Sequence, residues 1–122
     1  TLKGTLNTPE IFDDYRRVKQ FQKICKNKDI LDFGCGWGIF LHKLKSTESL
    51  NGVELRKECV NYIRKNKKKI NLQTNINNFN KTFDIITMFH VLEHIPYQIE
   101  TLKLLKKKLK KKWKNYYRSP TC

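Results

Sequence analysis

A glycine-rich bend after a short apolar run constrains the fold of this chain more than any other feature. Residues 32–38, Asp-Phe-Gly-Cys-Gly-Trp-Gly, hold three of the five glycines of the chain. The run Asp29–Phe33 predicts a buried strand, and the spacing of Phe40, Leu41 and Leu44 predicts a following helix. Glycine at such a junction permits a tight turn and lets a bulky ligand lie against bare backbone.

Strands and helices are predicted to alternate along the rest of the chain. The predicted strands lie within 29–33, 49–55, 70–76 and 83–89, and helices are predicted to follow Thr8, the glycine bend, Leu55 and Pro96. The spacing of Ile99, Leu102, Leu105 and Leu109 predicts the inward face of the last helix. This alternation is typical of an α/β fold, a Rossmann-like doubly wound sheet that is mainly parallel. Only four strands can be counted in the chain.

The spacing of the glycines and one acidic residue indicate the class of ligand. Dinucleotide-binding loops follow the pattern GxGxxG, but Gly34, Gly36 and Gly38 give GxGxG, and Ile39 stands where the last glycine would be. NAD is therefore disfavoured. Glu54 ends the second predicted strand, where an acid accepts hydrogen bonds from the ribose hydroxyls of an adenosine moiety. The alternative is a bend that only closes a strand–helix junction.

Three segments, in order, resemble one family. Residues 30–38 are similar to the first motif of the class I S-adenosylmethionine-dependent methyltransferases, and residues 52–55 to their second motif. Residues 83–95 resemble the fourth-strand segment of small-molecule and saccharide-type members. The resemblance implies S-adenosyl-L-methionine as cofactor and in-line methyl transfer to a small-molecule or saccharide-type acceptor, for which positioning supplies most of the catalysis.

The resemblance also implies a cofactor site. Its residues are Asp32, Gly34, Cys35, Gly36, Gly38, Glu54, Leu55, Asn75, Ile76, Phe89 and His90. Asp32 and the backbone of the bend are expected to hold the amino-acid end of the cofactor. Glu54 is expected to take the ribose, with Leu55 beside the adenine. Asn75 stands where the family often has an acid, although its amide can still accept a hydrogen bond from the adenine amino group.

The segment after the fourth strand holds the candidate catalytic residues. Phe89 and His90 are expected near the methionine portion of the cofactor. His90, Glu93 and His94 have the spacing i, i+3 and i+4, which permits a shared face and an acid/base or metal-linked role. The favoured interpretation is structural: Glu93 caps or pairs, and His94 packs against the glycine bend. No metal is predicted, and no catalytic residue is assigned.

The charge of the chain bears on its partners. The net charge is +15, but 21 Lys against 5 Arg, with 11 Asn, is the residue usage of an AT-rich genome more than that of a phosphate-binding surface. An RNA methyltransferase and a non-catalytic basic nucleic-acid-binding protein remain alternatives that are not favoured. No apolar run reaches the length of a membrane span and no signal peptide is recognised, and the four scattered cysteines predict a cytoplasmic protein.

The last residues do not supply the strand that the resemblance implies next: the fold of this family has seven strands, and only four are predicted here. Residues 1–110 are interpreted as a partial methyltransferase domain and residues 111–122 as a basic tail. Back-translation with A/T-ending codons, read one nucleotide later from Lys111, gives Lys-Asn-Gly-Lys-Ile-Ile-Ile-Glu-Val, a turn followed by a β-branched strand. We therefore expect a frameshift, and the alternative is a native basic tail that contacts nucleic acid or an acidic membrane. A frameshift would leave the edge of the fourth strand exposed, permit self-association through that edge, and leave weak cofactor binding with little or no turnover.

Overall fold

The computed structural model describes the backbone of residues 9–89 and 91–110, and the side chains of residues 13–89 and 91–110. The helices are α1 (Pro9–Cys25), α2 (Ile39–Lys43), α3 (Lys57–Asn66) and α4 (Gln98–Lys107). The strands are β1 (Asp29–Phe33), β2 (Ser49–Val53), β3 (Ile70–Gln73) and β4 (Ile85–Thr87), with 3-10 turns at Ile76–Asn78 and Leu92–His94. Among the helices described, none has the length and apolar character that crossing a membrane requires.

The four strands form one parallel sheet in the order β3-β2-β1-β4. Successive side chains of a strand point to opposite faces, so Ile30 and Leu31 of β1 lie in different cores. Ile30 packs with Phe40, Leu41, Val60 and Ile63 from α2 and α3. Leu31 packs in the second core, whose members include Phe79, Phe83 and Leu105. Helices therefore cover both faces, and the predicted α/β, Rossmann-like sheet of four strands is confirmed.

Three strands are shorter than predicted, β2 by two residues at its end. β3 ends at Gln73 because Asn75 starts a 3-10 turn, in which its side-chain oxygen accepts a hydrogen bond from the Asn77 amide at 2.9 Å. β4 covers only Ile85–Thr87 of the predicted range 83–89. The inward face predicted for α4 is wrong at Ile99, which is 66% exposed. Ile99 lies in the first turn of α4, away from the apolar cluster in which Leu105 is buried.

The edge of β4 that faces away from β1 is paired at its beginning. The Phe83 amide donates to the Lys108 carbonyl at 2.7 Å, and the Lys110 amide donates to the Phe83 carbonyl at 2.9 Å. The Lys110 ammonium also contacts carboxylate oxygens of Asp29, at 2.9 Å, and Asp84, at 3.2 Å. The edge predicted to be exposed is thus partly covered at Phe83. Residues 111–122 lie outside the described residues, so the frameshift and self-association stay predictions.

Candidate functional site

The glycine bend joins the carboxyl ends of β1 and β2. The amides of Gly34 and Cys35 donate to the carbonyl of Val53, at 2.8 and 3.1 Å, so the bend is tied to the end of the neighbouring strand. Gly34 has a φ of +79°, and a Cβ built there would overlap the side chain of Val91. Gly36 has a φ of +58°. Glycine is therefore needed at Gly34 and Gly36 for a left-handed backbone, and at Gly34 also for the close approach of Val91.

Glu54 brings a carboxylate onto this bend. Its Oε1 accepts a hydrogen bond from the Gly36 amide at 2.8 Å. Its Oε2 accepts from the amides of Leu55 and Arg56, at 3.0 and 2.9 Å. Glu54 is only 7% exposed. The acid at the end of the second strand and the glycine bend are therefore in direct contact, the geometry on which the ligand prediction depends.

Glu54 is held as a carboxylate. Its burial favours the neutral acid, but the amides of Arg56 and Gly36 and the guanidinium of Arg56 outweigh this effect and hold the pKa of Glu54 below its ordinary value. A carboxylate accepts hydrogen bonds and donates none. The group is thus suited to a ligand with neighbouring hydroxyl groups.

Asp32 forms the second acidic position of the site, at the carboxyl end of β1. It is 3% exposed, and the Thr87 hydroxyl donates to its Oδ1 at 2.9 Å. Burial raises the pKa of Asp32 to about 7, although the hydrogen bond from Thr87 opposes the shift. A cationic group beside this carboxyl would favour its ionised form, because an opposite charge offsets the cost of burial.

Sequence reasoning missed Arg17 on α1. Its guanidinium lies 4.4 Å from the centre of the Phe89 ring and 3.5 Å from the Asp14 carboxylate, with most of its side chain buried. Arg17 is near enough to Asp32 to lower its pKa. Helical periodicity considered only the apolar residues of α1. The available signal was the residue type: the chain has 21 lysines and 5 arginines, so an arginine stands out as a candidate for binding a carboxylate.

Asp32 gives the site a measurable pH dependence. Its folded-state pKa of about 7 lies above the ordinary value of 3.8, so stability falls as the pH rises between these values. We expect Asp32→Asn to remove this slope and, because asparagine can still accept from Thr87, to stabilise the protein by about 4 kcal/mol at pH 8, the worth of a shift of about three pKa units. Urea unfolding at pH 4.5, 6 and 8 measures both effects. Asp13→Asn, at a carboxylate of α1 that is 39% exposed and pairs with Arg16 at 3.0 Å, is the control. An unchanged slope in Asp32→Asn contradicts the assignment.

The other residues predicted for the cofactor site differ in exposure and in the contacts that they make. Leu55 follows Glu54 and is 78% exposed, so it offers an apolar surface. The side-chain oxygen of Asn75 already caps the turn after β3, and Ile76 is buried in the second core. The ring of Phe89 packs on Phe40, with 5.0 Å between their centroids. Cys35 is buried, and Gly38 precedes α2 as its N-cap.

The candidate catalytic segment differs from its prediction. His90 lies outside the described residues. The side chain of His94 is 77% exposed, and its Nε2 lies 3.8 Å from Glu93 Oε1. His94 does not pack against the bend, and that prediction is wrong: Val91 takes the place against Gly34. In the part of the chain that the structure describes, no group of His, Cys, Asp and Glu side chains could hold a metal ion.

A parallel sheet with a glycine bend, and an acid at the end of the adjacent strand, are typical of α/β domains that bind nucleotide-like ligands. A family model described as "Methyltransferase domain" matches residues 9–118. The chain therefore belongs to the methyltransferase domain family. The predicted class I S-adenosylmethionine-dependent methyltransferase family is confirmed, as are the enzyme class and S-adenosylmethionine as the cofactor of that family.

Curated relatives cover part of the chain. Ubiquinone biosynthesis O-methyltransferase of Hydrogenovibrio crunogenus is 32% identical over 91 residues, which are 65% of this chain and 36% of the relative. The mitochondrial protein of the same name from Saccharomyces cerevisiae is 32% identical over 85 residues, 61% of this chain and 27% of the relative. The chain thus spans about a third of the length of these relatives.

Solved structures share the fold. The plantazolicin methyltransferase BpumL, solved with SAH and a monoazolic desmethylPZN analog, has a TM-score of 0.74 and 25% identity, over 88% of this chain and 47% of that one. Magnesium protoporphyrin IX methyltransferase (ChlM) from Synechocystis with bound SAH has a TM-score of 0.67 and 14% identity, over 82% of this chain and 52% of that one. The second likeness supports the fold alone.

Proposed function

We propose that this chain binds S-adenosylmethionine at the glycine bend and serves methyl transfer to a small-molecule acceptor. The observation that carries the proposal is the contact between Glu54 Oε1 and the Gly36 amide, at 2.8 Å. It places a buried carboxylate beside a bend with no side chain at Gly36. Family membership and the SAH bound to BpumL support the same cofactor.

The residues at the bend fit an adenosyl group. Glu54 supplies an acceptor for ribose hydroxyls, and Leu55 supplies exposed apolar surface for the adenine. A Cβ at Gly36 would project to 3.2 Å from the Arg56 guanidinium, so glycine leaves this surface open. Asn75 can still contribute an acceptor, because a carboxamide oxygen has two lone pairs and, among the described residues, one donor is recorded for it, the Asn77 amide.

Asp32 and Arg17 fit the charged end of the same cofactor. An α-amino group would pair with the Asp32 carboxylate, whose pKa of about 7 makes it readily ionised by a cation. An α-carboxylate would pair with Arg17, which Phe89 and Asp14 hold in place. When bound, the cofactor supplies an electrophilic methyl group on its sulfonium. The work of these residues is orientation, which is worth several kcal/mol in a well-aligned complex.

We infer a hydroxyl oxygen of a small molecule as the methyl acceptor. The relatives with 32% identity carry the name ubiquinone biosynthesis O-methyltransferase, which supports an oxygen acceptor of small size. A saccharide hydroxyl belongs to the same chemical class. A base that assists such a hydroxyl would come from the segment after β4, where Glu93 and His94 remain candidates together with His90. We expect turnover by this chain to be low.

Binding selectivity tests the proposal. Equilibrium dialysis of the full chain with labelled S-adenosylmethionine, S-adenosylhomocysteine and NAD should show saturable binding of the first two and none of NAD. Binding of NAD in preference to both would contradict the proposal, as would binding of none. Transfer of a labelled methyl group to a catechol rather than to RNA would support the acceptor class, whereas RNA methylation would favour the nucleic-acid alternative.

A further inference from the structure

The Arg56 side chain folds back over the glycine bend. Its Nε lies 3.3 Å from Glu54 Oε2. Its Nη2 would be 3.2 Å from a Cβ on Gly36, so the guanidinium lies above the open surface of the bend. Arg56 is otherwise exposed at the start of α3, where it has room to turn into solvent.

The two carboxylate oxygens of Glu54 are unequally used. Oε1 accepts from the Gly36 amide. Oε2 accepts from two backbone amides, of Leu55 and Arg56, and also from Arg56 Nε. A carboxylate offers about four lone-pair sites over its two oxygens, so the two backbone amides already fill Oε2, Arg56 Nε is a third and crowded donor there, and Oε1 keeps one site for a further donor. The contact with Arg56 Nε is the longest of the three, and it can be released without moving the backbone.

We propose that Arg56 is a displaceable latch: its guanidinium covers the side of Glu54 and Gly36 that a ribose hydroxyl must approach, and adenosyl ligands bind by displacing it. The inference rests on the proposed function. Three backbone amides already fix the orientation of Glu54, so the Arg56 side chain is not required to hold it. Removing that side chain therefore uncovers Glu54, whose Oε1 can still accept a hydroxyl, without loosening the carboxylate.

The latch is distinguished from a charge effect by a neutral ligand. Adenosine carries no charge, so loss of a nearby cation alone should not alter its affinity, and 2′,3′-dideoxyadenosine lacks both hydroxyls. We expect Arg56→Ala to tighten adenosine binding by about three- to tenfold, the worth of one exchanged hydrogen bond. Binding of dideoxyadenosine should stay within about twofold. Lys57→Ala, which removes the same charge one residue later, is the matched control and should change neither.

Amide NMR titration of the full chain, followed at Gly36, measures these dissociation constants. The Arg56 Nε–H resonance gives a second readout, because adenosine should shift it toward a solvent-exposed value and dideoxyadenosine should not. Unchanged or weaker adenosine binding in Arg56→Ala, with wild-type binding intact, overturns the latch alone. Failure of the wild-type chain to bind both adenosine and S-adenosylhomocysteine overturns the proposed function, and the latch with it.

Discussion

Glu54→Gln is expected to weaken the binding of S-adenosylhomocysteine by about 10- to 100-fold. Hydrogen bonds to a charged acceptor contribute about 1.5–3 kcal/mol each, and glutamine removes the charge and one acceptor oxygen. The new amide group would also face the backbone donors of Gly36 or of Leu55 and Arg56. Isothermal titration calorimetry measures the affinity, and circular dichroism verifies that the variant is folded.

Glu58→Gln is the matched control for this prediction. Glu58 lies in the first turn of α3, four residues after Glu54, and is exposed. The same chemical change there should alter affinity by less than about twofold, since an exposed charge is strongly screened. Equal affinities for wild type and a folded Glu54→Gln protein would remove the carboxylate from the site.

Gly36→Val should abolish detectable binding of S-adenosylhomocysteine, a loss of more than about 100-fold. Gly36 has a φ of +58°, which costs a residue with a side chain about 1–2 kcal/mol. The β-branched side chain would also fill the bare surface beside Arg56. Calorimetry measures binding, and thermal unfolding separates it from loss of the fold.

Gly34→Ala gives the contrast to the Gly36 variant. Its Cβ would overlap Val91, so this change should mainly lower the unfolding temperature and affect ligand affinity less. The two variants thus separate packing from binding within one motif. A folded Gly36→Val protein that keeps its affinity within about threefold would exclude the bend from the ligand site.

The core of the site could be predicted because it depends on strand order. Asp32 lies near the carboxyl end of β1 and Glu54 directly follows β2, and the carboxyl ends of these adjacent parallel strands meet at one edge of the sheet. Apolar runs located β1 and β2, and glycine spacing located the bend between them. These are local signals in the sequence. Parallel pairing of β1 with β2 then brings Asp32 and Glu54 close together.

Contacts made by side chains from distant segments could not be predicted in this way. Val91 fills the place against Gly34 that His94 was expected to take, because the 3-10 turn directs His94 into solvent. Arg17 approaches Asp32 only because α1 packs beside Phe89. Ile99 fits a helical period but lies outside the core. Periodicity identifies the apolar face of a helix, but which residues that face packs against depends on the tertiary fold.

The frameshift at residues 111–122 stays a prediction, independent of the cofactor site. The described residues end with the pairing of Phe83 with residues 108–110 at the start of β4. The β-branched segment of the alternative frame would lie beyond them. The coding DNA tests the frameshift directly. Codons for Lys114–Tyr117 that do not yield that segment one nucleotide later would refute it.

Amide chemical-shift mapping with S-adenosylhomocysteine tests the central claim most directly. The account predicts saturable shifts that are largest at Gly34–Gly38 and Glu54–Leu55, with smaller ones after β3. Saturable shifts confined to other surfaces, such as α4, would contradict it, and so would a spectrum of the folded chain that excess ligand leaves unchanged.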